Sequence, residues 1–502
     1  MSDGRLVRWA AVVASLLGGG LTALAFPRFS VRVLAVAGPA LLLLAVRRQG
    51  WRLAALCGLL WGLAFFVPLL QWLQPGAGTN AWLILAALEA LIVAVSAVAL
   101  AAVSRLPAWP LWAAGVWVAQ EALRGRVPFG GFTWGRLGFS QDSGPYLRWA
   151  SVGGVALLSF LVALAAGLLV AALSQRRVLP GAGLVALAAL PLAVAPLLPG
   201  PPRPSRTAVA ALVQGNVPRL GLPSRDTRQQ DAVIRNHVEA TYDLAAAVDA
   251  GRVPRPDFVV WPENSTDRDP RTDGLAGTLI DAAVKRVGVP VVVGAVLDRD
   301  AETVQNAGVV WDPATGAGAT YVKRHLVPFG EYVPFRSLVT PWFGRLALIP
   351  RDFVPADREA SDPLVVAGVS LGDVICFEVA YDGLVRDGVR DGAEVVVVQT
   401  NNATFGWSDL THQQLAMSRI RAVEHGRAVL VAATSGVSAV IAPDGSYVDR
   451  SAVFTRDLLV HPVPLSTRRT LATRLGAWPE WVLALAGLLG VGAAVTGTLR
   501  RR

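Results

Sequence analysis

The chain has 502 residues, of which 53% are hydrophobic and 16% charged, and its formal net charge is +10. That balance excludes an ordinary soluble enzyme and leaves length for two units. Many of the arginines sit at the ends of apolar runs, where anionic headgroups attract them, and no recognition motif accompanies them, so nucleic-acid binding is not expected.

Taken in chain order, apolar runs near the ~20 residues that a bilayer demands of a helix occur at 8–26, 31–47, 51–73, 81–103, 107–123, 149–174, 178–198 and 478–499. They predict eight transmembrane helices, the second and fifth being short. Arg5 and Arg8 ahead of the first run read like a secretory signal. No small-residue cleavage site leads into a soluble domain, however, and another span follows at once, so a retained anchor is expected. Glu89, Gln120 and Glu121 fall inside spans, where polar groups are costly and are expected to pair within the bundle. With the N-terminus inside, the cytoplasmic segments hold eleven arginines (Arg5, Arg8, Arg47, Arg48, Arg52, Arg105, Arg176, Arg177 and Arg500 to Arg502). The outside loops hold six (Arg28, Arg32, Arg124, Arg126, Arg136 and Arg148). The excess inside predicts seven spans in residues 1–200, an extracytoplasmic domain over 201–477, and an eighth span with a basic cytoplasmic tail over 478–502.

The proline-rich stretch "APLLPGPPRPSR" (195–206) cannot continue a helix and reads as a stiff spacer. Beyond it, strand-like and helix-like stretches alternate. Strands are expected at 207–216, 256–264, 289–298, 373–378, 393–402 and 427–445, and amphipathic helices at 228–250 and 273–288. The continuous β-branched runs predict strands covered on both faces, hence an α/β layered domain.

Three of the strand-like stretches end on a single reactive side chain, the place where rigid scaffolds carry chemistry. "FVVWPEN" (258–264) carries Glu263. As a carboxylate among apolar neighbours it suits a general base, although a turn and helix cap would explain the string as well. "TYVKRHLVPFGEYVPF" (320–335) carries Lys323, one of only two lysines among 46 Lys plus Arg, the other being Lys285. A chain that so consistently uses arginine gains from lysine a compact ammonium that points at one atom, as a developing oxyanion needs. The bland alternative is a surface charge beside Arg324. "GDVICFEVAYDG" (372–383) carries Cys376; the only other cysteine, Cys57, lies in a span. A buried structural cysteine is the common case, but a helix start beside a cation would favour the thiolate. The five histidines are widely spaced and offer no ligand pair, so no metal site is expected.

Together these stretches resemble the Glu-Lys-Cys triad of the nitrilase superfamily. Further strings narrow the likeness: "FGGFTWGRLGFSQ" (129–141), "VQGNVP" (213–218), "WPENS" (261–265), "VQNAGVVW" (304–311), "YVKRHLVPFGEYVPF" (321–335), "ICFE" (375–378) and the segment 399–445 beginning "QTNNATFGW". With the eight-span layout, the chain is similar to the apolipoprotein N-acyltransferases, the membrane-bound branch of that superfamily. The resemblance implies a polytopic helical membrane domain joined to an α-β-β-α sandwich, in a bacterial cytoplasmic membrane. It implies Glu263 as general base, Lys323 as oxyanion donor and Cys376 as nucleophile. Glu331 and Glu378 would position Lys323 and the amine acceptor, and Asn306, Phe377 and Asn402 would line the site. The partners it implies are a phospholipid acyl donor (phosphatidylethanolamine) and diacylglyceryl-modified lipoproteins, with no cofactor. Phe377 departs from the family's usual tyrosine, and asparagine stands at 401–402 where aspartate is usual; neither touches the triad. Two other readings stay open: a membrane-anchored amidase that uses water, and a non-catalytic scaffold for a polyprenol-sugar synthase, for which a damaged triad would be expected.

Overall fold

The computed structural model describes residues 2–175, 177–218, 226–339, 351–356 and 362–499. Arg176 and Arg500 to Arg502, which enter the charge count, lie outside the described residues. The chain forms two compact units, Met1–Gly200 with Arg474–Arg502, and Pro201–Thr473.

In the first unit, six helices among the described residues are long and apolar enough to cross a membrane: Arg5–Leu24, Trp51–Leu69, Thr79–Val103, Pro145–Leu173, Val178–Leu197 and Trp478–Gly497. The expected spans at 31–47 and 107–123 emerge as helices of 13 residues (Leu34–Val46) and 16 residues (Trp109–Arg124). At ~1.5 Å per residue neither alone covers a ~30 Å hydrocarbon core. Helix length alone therefore accounts for six of the eight expected spans. Pairing of the polar residues in this unit is as expected: Glu89 and Arg124, each 1% exposed, form an ion pair at 2.7 Å. Gln120 Oε1 accepts from Arg124 Nε at 3.2 Å, and Glu121 Oε1 accepts from Trp117 Nε1 and Leu137 N. A Cβ on Gly115 would lie 2.6 Å from the Gly487 nitrogen, so helices Trp109–Arg124 and Trp478–Leu499 touch backbone to backbone, as small residues allow in lipid.

The second unit is an α-β-β-α sandwich. One sheet has the order β13-β1-β2-β3-β4-β5, with β6 added to β4, and the other the order β12-β11-β10-β9-β8-β7. The strands are β1 (Arg206–Gln214), β2 (Phe258–Val260), β3 (Val291–Asp298), β4 (Thr303–Asp312), β5 (Gly316–Val322), β6 (Asp352–Phe353), β7 (Leu364–Val366), β8 (Val369–Ile375), β9 (Val395–Thr400), β10 (Val429–Ala433), β11 (Ala439–Ile441), β12 (Tyr447–Arg450) and β13 (Asp457–Leu465). Strands alternate their side chains between two buried faces. Leu212, Val260, Val292, Leu371, Ile375, Val397 and Leu430 fill the space between the sheets. Val213, Val259 and Val293 point the other way, against Ile234, Val238, Leu244, Ile280 and Val284 of the covering helices. Those helices, Thr227–Asp249 and Gly274–Val287, begin where Asp226 and Asp273 accept from the backbone N–H of Arg228 and Ala276. The second ends at Gly288 with φ 69°. The single strand expected over 427–445 is broken into β10 and β11. At the break the Ser438 hydroxyl and N–H turn inward to Gln214 Oε1.

Strand direction positions the site. β1, β2 and β3 run parallel, β4 turns back and β5 turns again, so β2 and β5 end at the same edge. In the facing sheet β8, β9 and β10 are parallel and likewise share an end.

Candidate active site

Glu263 follows β2 by three residues and is 4% exposed. Its Oε1 accepts from Asn306 Nδ2 at 2.7 Å and from Lys323 Nζ at 3.4 Å, and its Oε2 accepts from Asn401 N at 2.7 Å. Lys323, the first residue after β5, is 1% exposed, so it is no surface twin of Arg324. Its Nζ donates at 2.7 Å to Glu331 Oε1, which also accepts from Asn306 Nδ2 at 3.1 Å. Burial pulls the ammonium pKa down, but Glu331, Glu263 and Cys376 outweigh it and hold Lys323 above its usual range, firmly charged. The Glu331 Oε2 accepts from Val327 N at 2.8 Å, which curls residues 323–331 into a closed loop around the ammonium.

Cys376 directly follows β8 and has φ 54°, a left-handed conformation that costs a non-glycine residue about 1–3 kcal/mol and recurs at functional turns. The structure corrects the expectation of a thiolate at a helix start. Cys376 opens a five-residue 3-10 turn, Cys376–Ala380, and the helix Asp382–Arg390 comes only afterwards. Burial first, and the Glu263 and Glu331 charges after it, raise the thiol to about 12, against the opposing pull of Lys323 and a hydrogen bond with the Thr400 hydroxyl. The resting group is a thiol within the field of both carboxylates and the ammonium.

Glu378 is wholly buried and accepts four hydrogen bonds. Arg324 N and His325 N donate to Oε1 at 2.7 and 2.9 Å, and Tyr321 OH and Ile375 N donate to Oε2, both at 2.8 Å. It therefore ties the backbone after Lys323 to the backbone before Cys376. The ring of Phe377, 7% exposed, packs 6.2 Å from His325 and 5.3 Å from Tyr381. Burial and the Lys323 charge push His325 down to about 4, so its imidazole is neutral. Asn402 lies one step outward: it accepts from the Thr400 hydroxyl at 2.8 Å and donates to Gln414 Oε1 at 3.1 Å.

Glu263, Lys323, Cys376, Glu331, Asn306 and Glu378 are thus brought into one connected cluster, with Phe377 and Asn402 on its margin. Sequence reasoning missed three members. The Asn401 backbone N–H holds Glu263 where Asn402 was expected to act, and Thr400 reaches Cys376 because Ile375 pairs with Gln399 on the parallel neighbour strand. Asp267, four residues beyond Glu263, is raised to about 7 by burial and by the Glu263 charge. Only the level ending of β8 and β9 could have revealed the first two.

Residues 210–473 match the carbon-nitrogen hydrolase family model, and residues 18–168 match that of the apolipoprotein N-acyltransferase N-terminal domain. The apolipoprotein N-acyltransferase of Mycolicibacterium smegmatis is 39% identical, over 95% of this chain and 84% of the relative. The chain belongs to the apolipoprotein N-acyltransferase family. The family member from Azotobacter vinelandii is 32% identical over 98% of this chain and 96% of its own. An amidase from Nesterenkonia sp., a solved structure, is 19% identical and covers 51% of this chain and 90% of its own, with a TM-score of 0.36.

Proposed function

We propose that the chain transfers an acyl group from a phospholipid, through a thioester on Cys376, to the N-terminal amine of diacylglyceryl-cysteine in lipoproteins. The observation that carries the reading is the convergence of Glu263, Lys323 and Cys376 at strand ends within one unit: Glu263 and Lys323 are bonded to each other and through Asn306 and Glu331, and the Cys376 thiol lies within the field of both. In the first half-reaction the Cys376 sulfur attacks the sn-1 ester carbonyl and Glu263 takes the thiol proton. Lys323 and a backbone N–H beside Cys376 receive the oxyanion; a donor so placed is worth about 10²–10³ in rate. The tetrahedral adduct collapses, the carbon–oxygen bond breaks, the proton passes to the leaving alkoxide and lysophospholipid departs. In the second, the acceptor amine attacks the thioester, Glu263 takes its proton and the thiol is restored. The thioester supplies the driving force for the amide bond.

The donor headgroup we assign is phosphatidylethanolamine, and the membrane the bacterial cytoplasmic membrane. The catalytic domain faces outward, a placement resting on the excess of arginine in the segments assigned to the inside. The two shorter helices complete eight crossings with the residues that flank them. Both substrates are lipids of the outer leaflet, which suits a soluble domain held by helices at both ends.

Incubation with phospholipid carrying a labelled sn-1 chain and a diacylglyceryl lipopeptide is expected to give labelled N-acyl peptide, with little free fatty acid. Release of label only as free fatty acid, unchanged by the lipopeptide, would make the protein a hydrolase using the same triad on water.

A further inference from the structure

Behind the cluster lies a buried carboxyl that the mechanism does not use. Asp373 is 5% exposed and sits on β8 between Leu371 and Ile375, both of which face the space between the sheets, so its side chain shares that face. The Val374 N–H approaches the carboxyl, but neither of its oxygens accepts a hydrogen bond of good geometry, and the same holds for Oε1 of Gln399 on β9. The register pairs Asp373 with Val397 and Ile375 with Gln399, placing the two side chains on one face of adjacent strands. Across the gap stands Gly308 of β4. A Cβ there would lie 2.3 Å from Asp373 Oδ2 and 2.4 Å from Gln399 Oε1, so both oxygens crowd over one bare glycine.

Two buried acceptors in such proximity repel unless a proton lies between them, and an unpaired buried carboxylate is costlier still. We propose that Asp373 stands as the neutral acid and donates to Gln399 Oε1, forming a clamp between the strand ends that carry Glu263 and Cys376. Asp373 lies three residues before Cys376. Gln399 Nε2 donates at 2.5 Å to the carbonyl of Trp261, two residues before Glu263. Fixing the Gln399 amide therefore fixes the approach of both catalytic segments. The titratable groups that face Asp373 are Glu378, on the turn after β8, and Tyr321, on β5. Burial and the Glu378 charge hold the Asp373 carboxyl well above its usual range, in keeping with a retained proton.

The clamp concerns the site of the proposed transferase, but its first test is independent of the reaction. In the unfolded chain Asp373 loses its proton above about pH 4, whereas the folded protein keeps it, so native stability falls as pH rises between the two values. Asparagine offers the same donor without titrating. In full-length detergent-solubilised protein, Asp373→Asn is expected to melt above wild type at neutral pH, by a margin that widens toward about pH 9 and closes toward about pH 4. For activity, Asp373→Leu is expected to lower the rate of thioester formation at least about tenfold by leaving Gln399 Oε1 unpaired, and Asp373→Asn to restore it. An asparagine variant that melts below wild type at neutral pH, or that loses as much rate as the leucine variant, overturns the proposal. Should the leucine variant fail to fold, the melting series on asparagine decides alone.

Discussion

Substituting glutamine for Glu263 is expected to slow acyl-enzyme formation by about three orders of magnitude at neutral pH, with much of the loss recovered as pH rises. The reason is the state of the nucleophile. A thiol pushed up to about 12 is ionised to only about one part in 10⁵ at pH 7, so attack depends on a base that takes the proton as the bond forms. Glutamine keeps the size of Glu263 but not its basicity, and it presents an NH2 to one of the donors Asn306, Lys323 or Asn401 that now converge on the carboxylate. Without Glu263 the rate follows the thiolate fraction, rising about tenfold per pH unit below the thiol pKa. That pKa falls somewhat below its present value, because the Glu263 charge is one of the things that raise it. Rapid-quench measurement of thioester formation over several pH units checks both parts. A variant within about tenfold of wild type, or one indifferent to pH, would take the role of base from Glu263.

Lys323→Arg is expected to lower kcat by about 10²–10³, the cost of a lost oxyanion donor, with the positive charge retained. The ammonium is 1% exposed and is enclosed by Glu331 at 2.7 Å and Glu263 at 3.4 Å. A guanidinium there is broader and planar and satisfies two carboxylates at once, which turns its donors away from the reacting carbonyl. Lys323→Met would instead leave Glu331 and Glu263 without their cation, a loss of about 3–5 kcal/mol for a broken buried pair. Arginine separates catalysis from folding for that reason. Steady-state kinetics beside a melting curve gives the answer: a near-normal melting temperature with a collapsed kcat is the expected pair.

Much of this was legible in the sequence, for identifiable reasons. Long apolar runs and β-branched stretches announce helices and buried strands because each must match a solvent or a layer along its whole length. The triad was legible because each member directly follows a hydrophobic strand or the turn it runs into, and Lys323 stood out against an arginine-rich background. Three features escaped. The helices Leu34–Val46 and Trp109–Arg124 are shorter than the runs that encode them, since apolarity continues beyond the residues that stay helical, at Pro107 in one case. The thiol state of Cys376 could not be read either, because it depends first on burial and then on the charges of Glu263 and Glu331, carboxylates from strand ends and loops distant in sequence. Thr400, Asn401, Asp373 and Gln399 act through strand register, which no local pattern records.

The proposed transfer holds a fatty acyl group on one sulfur, and intact-mass spectrometry of the purified protein reads that directly. After incubation with phospholipid alone, wild type is expected to gain the mass of one acyl chain, to lose it on addition of diacylglyceryl lipopeptide, and to gain nothing in the form Cys376→Ala. An adduct that persists in Cys376→Ala, or one on wild type that lipopeptide does not discharge, would contradict the mechanism.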